Sequence, residues 1–138
     1  TNPALNTVTA YGDDYIEINK ARHHQSIYFM AEGPVNDLNI QKSSDFTTEL
    51  LQNITGVRPA QKDPMAFLAG TPNRLENTEN IEVLLIGTGR QQQFLHPAIT
   101  SSLLSLRIGV EIMDTQAAAR TYNILMSEGR RVVAALIL

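Results

Sequence analysis

The sequence predicts a single α/β domain, residues 1–138, with a mixed central sheet, and three features support this prediction. The C-terminal half alternates strand patterns with helical patterns in the order β-α-β-α-β. Residues 81–87 form a near-continuous apolar run, which is typical of a strand buried on both faces of a parallel sheet. The first third alternates apolar and polar residues, so it should add further strands.

Composition places the chain among globular domains. Apolar residues make up 43% and charged residues 18%, which is too apolar for a disordered chain. Because the sequence has no cysteine, it excludes a disulfide scaffold, a Cys-ligated metal site and thiol catalysis. Eleven Lys and Arg residues against fourteen Asp and Glu residues give a formal charge of −3, which argues against a nucleic-acid partner.

Apolar segments of the chain are short. The longest strongly apolar run, residues 132–138, falls well below the roughly 18–20 residues that a transmembrane helix needs. The N-terminal residues lack the basic and apolar regions of a secretory signal. We therefore expect a cytoplasmic protein, with a mitochondrial location as the alternative if a targeting segment has been removed.

The first third is predicted to be rich in β-structure. Residues 15–19 and 25–30 have strand patterns, and residues 35–40 should hold a short extended piece. The polar residues 19–24 between the two strands are predicted to form a turn.

The middle of the chain gives weaker signals. A helix is predicted to begin with Ser44 or Asp45 as its N-cap. Its apolar stripe would comprise Phe46, Leu50 and Ile54. Residues 63–70 should form a short helix with Pro64 in its first turn, and the rest of residues 55–80 is predicted to be loop.

Two helices are predicted in the last third, each followed by a strand. The first should run from Pro97 to about Arg107, with Gly109 just past its end. Its buried stripe would comprise Ile99, Leu103 and Leu106, which recur at helical spacing. A strand over residues 109–113 then leads to the second helix.

The second helix is predicted to begin after a cap at Asp114 or Thr115 and to end at Gly129. Its buried face would comprise Ala118, Tyr122, Leu125 and Met126. Residues 131–138 should form the last strand. Because single helices separate the C-terminal strands, these strands should run parallel, with right-handed crossovers.

A glycine-rich segment, Gly87-Thr88-Gly89-Arg90, follows the buried strand. Such a strand exit can bring backbone N–H groups close to an anion, and Arg90 would add positive charge. The segment is not a dinucleotide-binding fingerprint, because the third glycine is missing and the helix begins several residues later. The competing interpretation, which the pattern favours, is a tight turn that needs positive φ.

Further polar residues follow the next strand and its helix. Asp114 and Thr115 should lie at the same sheet edge as Gly87, where ligand sites of such sheets form, although both are also ordinary helix caps. The charged corner at residues 127–131 is either a partner-docking patch or a solvated helix end. The candidate ligand-binding or partner-binding residues are Gly87, Thr88, Gly89, Arg90, Asp114, Thr115, Arg120, Asn123 and Arg130.

No set of residues in the sequence supports a metal site or a catalytic site. His23 and His24 are adjacent and would point to opposite faces of a strand. The sequence lacks a Gly-x-Ser-x-Gly motif, and Glu111 and Asp114 should diverge. No cofactor and no metal are predicted, and the sequence favours a protein without enzyme activity.

Four strings in the C-terminal half resemble one family of small domains. Their joint order and spacing are specific, and the N-terminal part matches more loosely, through Tyr11-Gly12 and Ser26-Ile27. The strings resemble the Mth938-type domain, a family of unknown function whose eukaryotic members include the mitochondrial NADH dehydrogenase (complex I) assembly factor 3. They lie at residues 83–89, 109–115, 118–125 and 128–132.

The resemblance implies a three-layer α/β fold with a β-rich, hammerhead-like N-terminal part, and no established reaction. The segment over residues 52–80 is longer than the corresponding segment expected from the family, so we interpret it as a loop insertion. Relatives often carry a cysteine next to the position of Arg120, where this chain has Ala119. Thiol chemistry is therefore not expected here.

Two functions follow as hypotheses. The first is a non-enzymatic interaction, assembly or accessory factor with an unidentified protein partner, since eukaryotic relatives act through partners in the assembly of a respiratory complex. The alternative is a small-molecule or anion-binding domain, with a crevice at the strand ends near Gly87-Thr88-Gly89 and Asp114. The sequence is also compatible with a homo-oligomer.

Overall fold

The computed structural model describes residues 5–59 and 74–138. These residues form ten strands, three α-helices and one 3₁₀ turn. In chain order they are β1 (Val8–Tyr11), β2 (Ile16–Ile18), β3 (Ala21–His23), β4 (Ile27–Phe29), β5 (Asn36–Asp37), the 3₁₀ turn (Ser43–Asp45), α1 (Thr48–Thr55), β6 (Val57–Pro59), β7 (Leu75–Asn77), β8 (Val83–Gly87), α2 (Pro97–Ser105), β9 (Gly109–Met113), α3 (Thr115–Ser127) and β10 (Val132–Leu136).

The central sheet has five strands in the order β5-β4-β10-β8-β9. β8 pairs in parallel with both β9 and β10, while β4 runs antiparallel to β10 and to β5. The predicted α/β fold with a mixed sheet and parallel C-terminal strands is therefore confirmed. β8 and β10 lie inside the sheet and are buried along their whole length, as their apolar sequences indicate.

Alternating side chains of β8 enter two separate apolar cores. Val83 and Leu85 pack on one face of the sheet with α3 and with the antiparallel sheet β1-β2-β3. Leu84 and Ile86 pack on the other face with residues of α1 and α2. The sheet is thus covered on both sides, which gives the three layers that the resemblance implies.

The helix α3 is anchored at both ends as its sequence predicts. The Asp114 carboxylate accepts the Ala117 N–H at 2.9 Å, and Gly129 adopts a left-handed conformation with φ of 77°. Tyr122 is fully buried, and its ring meets the edge of Phe29 at a centroid distance of 4.7 Å. Its hydroxyl donates to the carbonyl of Asn6 at 2.7 Å, and burial raises the pKa of Tyr122.

The N-terminal region holds more strands than its sequence predicts. The predicted strands are confirmed as β2 and β4, and the extended piece as β5. The predicted turn over residues 19–24 is wrong, because β3 occupies Ala21–His23 and pairs with β2. Its exposed polar side chains lack the alternation that identifies a half-buried strand. In the predicted loop over residues 55–80, β6 and β7 pair as an antiparallel ribbon.

Helix α1 begins later than its sequence predicts. The N-cap is Thr47, whose hydroxyl accepts the Leu50 N–H at 3.1 Å, and not Ser44 or Asp45. Those two residues lie in the 3₁₀ turn, where the Asp45 carboxylate accepts the N–H groups of Gln41 and Lys42 at 3.3 Å each. The Asp45 carboxylate, which is predicted as a cap of the helix, therefore stabilises the preceding 3₁₀ turn instead. The predicted short helix over residues 63–70 lies outside the described residues.

Helix α2 ends earlier than predicted. It stops at Ser105, and Arg107 adopts a left-handed conformation with φ of 63°. Gly109 does not end the helix but begins β9, where its N–H donates to the Glu82 carbonyl at 2.9 Å. The predicted stripe is placed correctly, with Leu103 fully buried and Ile99 and Leu106 packed at the margin of the core.

Candidate functional site

The exit of β8 and the beginning of α3 form one tightly bonded junction. A Cβ atom on Gly87 would lie 2.9 Å from the Thr115 Cα, so only glycine permits this approach. The Thr115 hydroxyl accepts the Gly89 N–H at 2.8 Å and donates to the Ile137 carbonyl at 2.7 Å. Gly89 has φ of 100°, which matches the predicted tight turn with positive φ.

Thr88 holds the loop that follows this junction. Its N–H donates to the Met113 carbonyl at 2.9 Å, across to the end of β9. Its buried hydroxyl donates to the Gln91 carbonyl at 2.7 Å and accepts the Gln93 N–H at 3.1 Å. The N–H groups of Thr88 and Gly89, which an anion would need, are therefore both engaged within the fold.

Negative charge near the exit of β8 also disfavours the binding of an anion. The Asp114 carboxylate occupies the N-terminal end of α3, where a bound anion would otherwise gain from the helix dipole. Arg90 is exposed and lines a cavity of about 200 Å³ together with Asp13 and Asp14. The structure thus brings together six predicted residues, from Gly87 to Arg90 and Asp114 with Thr115, but most of their polar groups bond to one another or to the backbone.

Arg120 and Asn123 lie further along α3, away from that junction, and both side chains bond to residues of β1. Asn123 accepts the Val8 N–H at 2.9 Å and donates to the Val8 carbonyl at 2.8 Å. The Arg120 guanidinium donates to the Tyr11 hydroxyl at 3.0 Å and lies 5.7 Å from the centre of that ring. The hydrogen bond to Tyr11, more than the charge of Asp114, raises the pKa of Arg120.

Arg130 lies at the opposite edge of the sheet, where β8 and β10 begin. Its Nε donates to one carboxylate oxygen of Glu82 at 2.7 Å, and the Arg131 N–H donates to the other at 3.1 Å. The backbone bond from Arg131, followed by the side chain of Arg130, lowers the pKa of Glu82. Both arginines line a cavity of about 290 Å³ whose apolar part includes Met30 and Met126.

Two features beyond the predicted site residues bear on function. Tyr11 orients Arg120 from 109 residues away in sequence, a relationship that no local pattern signals. Ile124 is 61% exposed on the outer face of α3, between the buried positions of the helical pattern. An isoleucine on the polar side of an amphipathic helix is a signal that the sequence does contain.

Three further features bear on the kind of site that residues 5–59 and 74–138 can form. No group of three His, Asp or Glu residues in these ranges is arranged to hold a metal ion. No buried side-chain nitrogen or oxygen atom there lacks a hydrogen-bond partner. Of the helices in these ranges, none combines the length and apolar character that crossing a bilayer requires.

The layered sheet, the antiparallel β1-β2-β3 sheet beside α3 and the junction at Gly87 define an α/β domain of the Mth938-like class. The chain belongs to the family described as a protein of unknown function (DUF498/DUF598), whose model matches residues 8–137. The family membership expected from the four C-terminal strings is confirmed.

Solved structures support the same class over nearly the whole chain. A crystal structure of a Bordetella parapertussis protein is 48% identical, with a TM-score of 0.79 and coverage of 99% of this chain and 98% of that one. A solution structure from Bordetella pertussis, described as a Mth938-like domain, is 53% identical, with a TM-score of 0.75 and coverage of 97% and 86%.

One similar protein has a name that states a role in assembly. The Mus musculus protein named NADH dehydrogenase [ubiquinone] 1 alpha subcomplex assembly factor 3 is 42% identical over 57 residues. These residues make up 41% of this chain and 31% of the mouse protein. The similarity therefore spans about a third of that relative's length.

Proposed function

We propose that this chain is a non-enzymatic protein-binding factor that serves the assembly of a multi-subunit respiratory complex. The relationship to an assembly factor of NADH dehydrogenase supports this proposal at the level of the family. The structural observation that carries it is the outer face of α3, where the side chains of Arg120 and Ile124 are exposed.

The outer face of α3 combines an exposed apolar group with an oriented charge. Ile124 is 61% exposed and lies one helical turn from Arg120, on the same side of the helix. The Tyr11 hydroxyl holds the guanidinium at 3.0 Å, so less side-chain entropy is lost when a partner binds it. Arginine is enriched among the residues that contribute most to binding in protein interfaces.

The β8 exit gives the anion-binding alternative less support. The N–H groups of Thr88 and Gly89 already donate within the fold, and the Asp114 carboxylate caps α3. The hydroxyl of Thr115 is likewise bonded on both sides. These groups stabilise the chain, so the outer face of α3 is the better candidate for recognition.

The test is deletion of the gene in the bacterium that encodes it, followed by complementation. We expect less assembled NADH:quinone oxidoreductase on native gels with an activity stain, and recovery with the wild-type gene. Arg120→Ala and Ile124→Glu should fail to restore it, whereas Leu104→Glu, which changes an exposed apolar residue of α2, should succeed. An unchanged amount of assembled enzyme in the deletion strain contradicts the proposal.

We further propose that the protein acts as one domain in the bacterial cytoplasm. The family model spans residues 8–137, and both Bordetella structures come from bacteria. Cell fractionation with an antibody against the chain tests the location. Recovery in the periplasm or with the outer membrane would contradict it.

A further inference from the structure

Strand β9 forms one edge of the central sheet, and residues 5–59 and 74–138 leave its outer side largely open. The Gly109 N–H donates to Glu82 and the Met113 carbonyl accepts the Thr88 N–H, both at 2.9 Å, so these ends of β9 bond to β8. Because backbone groups alternate in direction along a strand, the N–H and C=O groups of Val110 and Ile112 point away from β8. Within the described residues, one side chain reaches this side: Gln92 donates to the Ile112 carbonyl at 3.2 Å.

The other sheet edges are shorter or covered. β5, at the opposite edge of the central sheet, has two residues, whereas β9 has five. On β1, the side chain of Asn123 satisfies both backbone groups of Val8. Proteins commonly protect edges in these two ways, because an open edge accepts another strand. β9 is therefore the strand of the central sheet best suited to pair with a further chain.

The side chains of β9 define what an incoming strand would contact. Val110 and Ile112 pack at the margin of the core that contains α2, so an added strand would extend this apolar face. Glu111 points to the other face and is exposed. Phe94, which is 90% exposed, follows Gln92 by two residues in the loop that contacts this edge.

We infer that β9 binds an extended segment of another protein, in which apolar residues alternate with Lys or Arg. The apolar residues would lie beside Val110 and Ile112, and the basic residue would lie opposite Glu111. A second copy fits less well, because the symmetric antiparallel register that pairs all of β9 sets Glu111 against Glu111, and like charges in that position are destabilising. This inference rests on the proposed function, to which it adds a second contact surface in addition to the outer face of α3.

The test uses a phage-displayed library of random peptides about twelve residues long, a length sufficient for one strand. Wild-type protein should enrich sequences with alternating apolar and basic residues. Val110→Pro removes the outward N–H while leaving the bonds to β8 intact, and it should weaken the enriched peptides by about tenfold or more. Val110→Ile keeps both the N–H and the apolar side chain and should bind as the wild type does. Gln92→Ala removes a competing donor and should not weaken binding.

A second variant keeps the inference testable if Val110→Pro unfolds. Glu111→Lys leaves the backbone unchanged on an exposed site, and it should shift the enriched peptides from basic to acidic residues. Absence of enrichment, or enriched peptides that bind Val110→Pro and Glu111→Lys as they bind the wild type, overturns the inference. Sedimentation that shows a dimer dissociated by Val110→Pro also overturns it. Peptide binding by β9 without an assembly defect in the deletion strain would contradict only the proposed function.

Discussion

The side-chain amide of Asn123 forms two hydrogen bonds with the backbone of Val8. Its Oδ1 accepts the Val8 N–H at 2.9 Å, and its Nδ2 donates to the Val8 carbonyl at 2.8 Å. Asn123 of α3 thus bonds to the backbone of β1 as a neighbouring strand would. The pairing joins the N-terminal sheet to the C-terminal β-α-β-α-β unit, so residues 115 positions apart in sequence depend on each other.

Replacing Asn123 by alanine should destabilise the fold. Both backbone groups of Val8 lose their partner, and leaving a partly buried polar group unpaired costs about 1–3 kcal/mol. Urea denaturation followed by circular dichroism measures the change in the free energy of unfolding. Asn53→Ala, on the exposed side of α1, is the matched control and should change this free energy by less than about 0.5 kcal/mol. Equal stability of the two variants would show that the pairing contributes little.

Replacing Thr115 by valine tests whether the junction at the β8 exit is structural. Valine has nearly the same shape but leaves the Gly89 N–H and the Ile137 carbonyl without the bonds that Thr115 makes at 2.8 and 2.7 Å. We expect the free energy of unfolding to fall by about 1–3 kcal/mol for each group left unpaired. Thr121→Val, in the same helix, loses only a contact to the Met113 sulfur at 3.4 Å and serves as the control. A Thr115→Val protein as stable as this control contradicts the structural role.

Alanine at Gly87 should be poorly tolerated for a steric reason. The new Cβ would meet the Cα and Oγ1 of Thr115, both at 2.9 Å, so the start of α3 would have to move. Forcing extra volume into a packed site of this kind costs about 1–3 kcal/mol. At Gly109, on the neighbouring parallel strand, the nearest atom to a new Cβ is the Glu82 carbonyl oxygen at 3.6 Å. Thermal unfolding should therefore show a clear loss for Gly87→Ala and a smaller change for Gly109→Ala.

The C-terminal elements could be predicted because their signals are local. The run over residues 81–87 identifies a buried strand, and the positions of Ala118 and Tyr122 identify the inner face of α3. Asp114 is predicted as a cap because capping involves a bond only three residues away. By contrast, β3 forms through pairing with β2 and has exposed polar side chains, so its own sequence predicts a turn.

The sequence predicts where the residues of the candidate site lie, but it does not predict which of their polar groups bond within the fold. Parallel topology correctly places Gly87 and Asp114 at one edge of the sheet, because carboxyl ends of parallel strands meet there. Which polar groups are already bonded depends on tertiary contacts such as Thr115 with Ile137, which no local pattern reveals. Arg120 is predicted to contribute to the crevice at this edge, yet its guanidinium bonds to Tyr11. Arg130 belongs to the separately predicted charged corner, where it pairs with Glu82.

The corner formed by Glu82, Arg130 and Arg131 should make stability depend on pH in the acidic range. Hydrogen bonding from the Arg131 N–H, and then from Arg130, lowers the pKa of Glu82 in the folded protein. A carboxylate with a lowered pKa stabilises the fold at a pH above its unfolded pKa, and this contribution disappears as the pH falls through the folded value. The loss should therefore occur below about pH 4.3, the ordinary pKa of a glutamate.

Glu82→Gln isolates this contribution, since the amide keeps the shape but not the charge. At about pH 7 its urea midpoint should be lower than that of the wild type, and the difference should shrink as the pH falls through the lowered pKa of Glu82. The difference should be modest and should shrink in high salt, since the corner is exposed to solvent. Glu111→Gln removes an exposed carboxylate with no ion-pair partner among residues 5–59 and 74–138, and should leave the midpoint nearly constant at neutral and at acidic pH. A Glu82→Gln midpoint that differs from the wild type equally at neutral and at acidic pH would assign the effect to the lost acceptor oxygen and not to the charge.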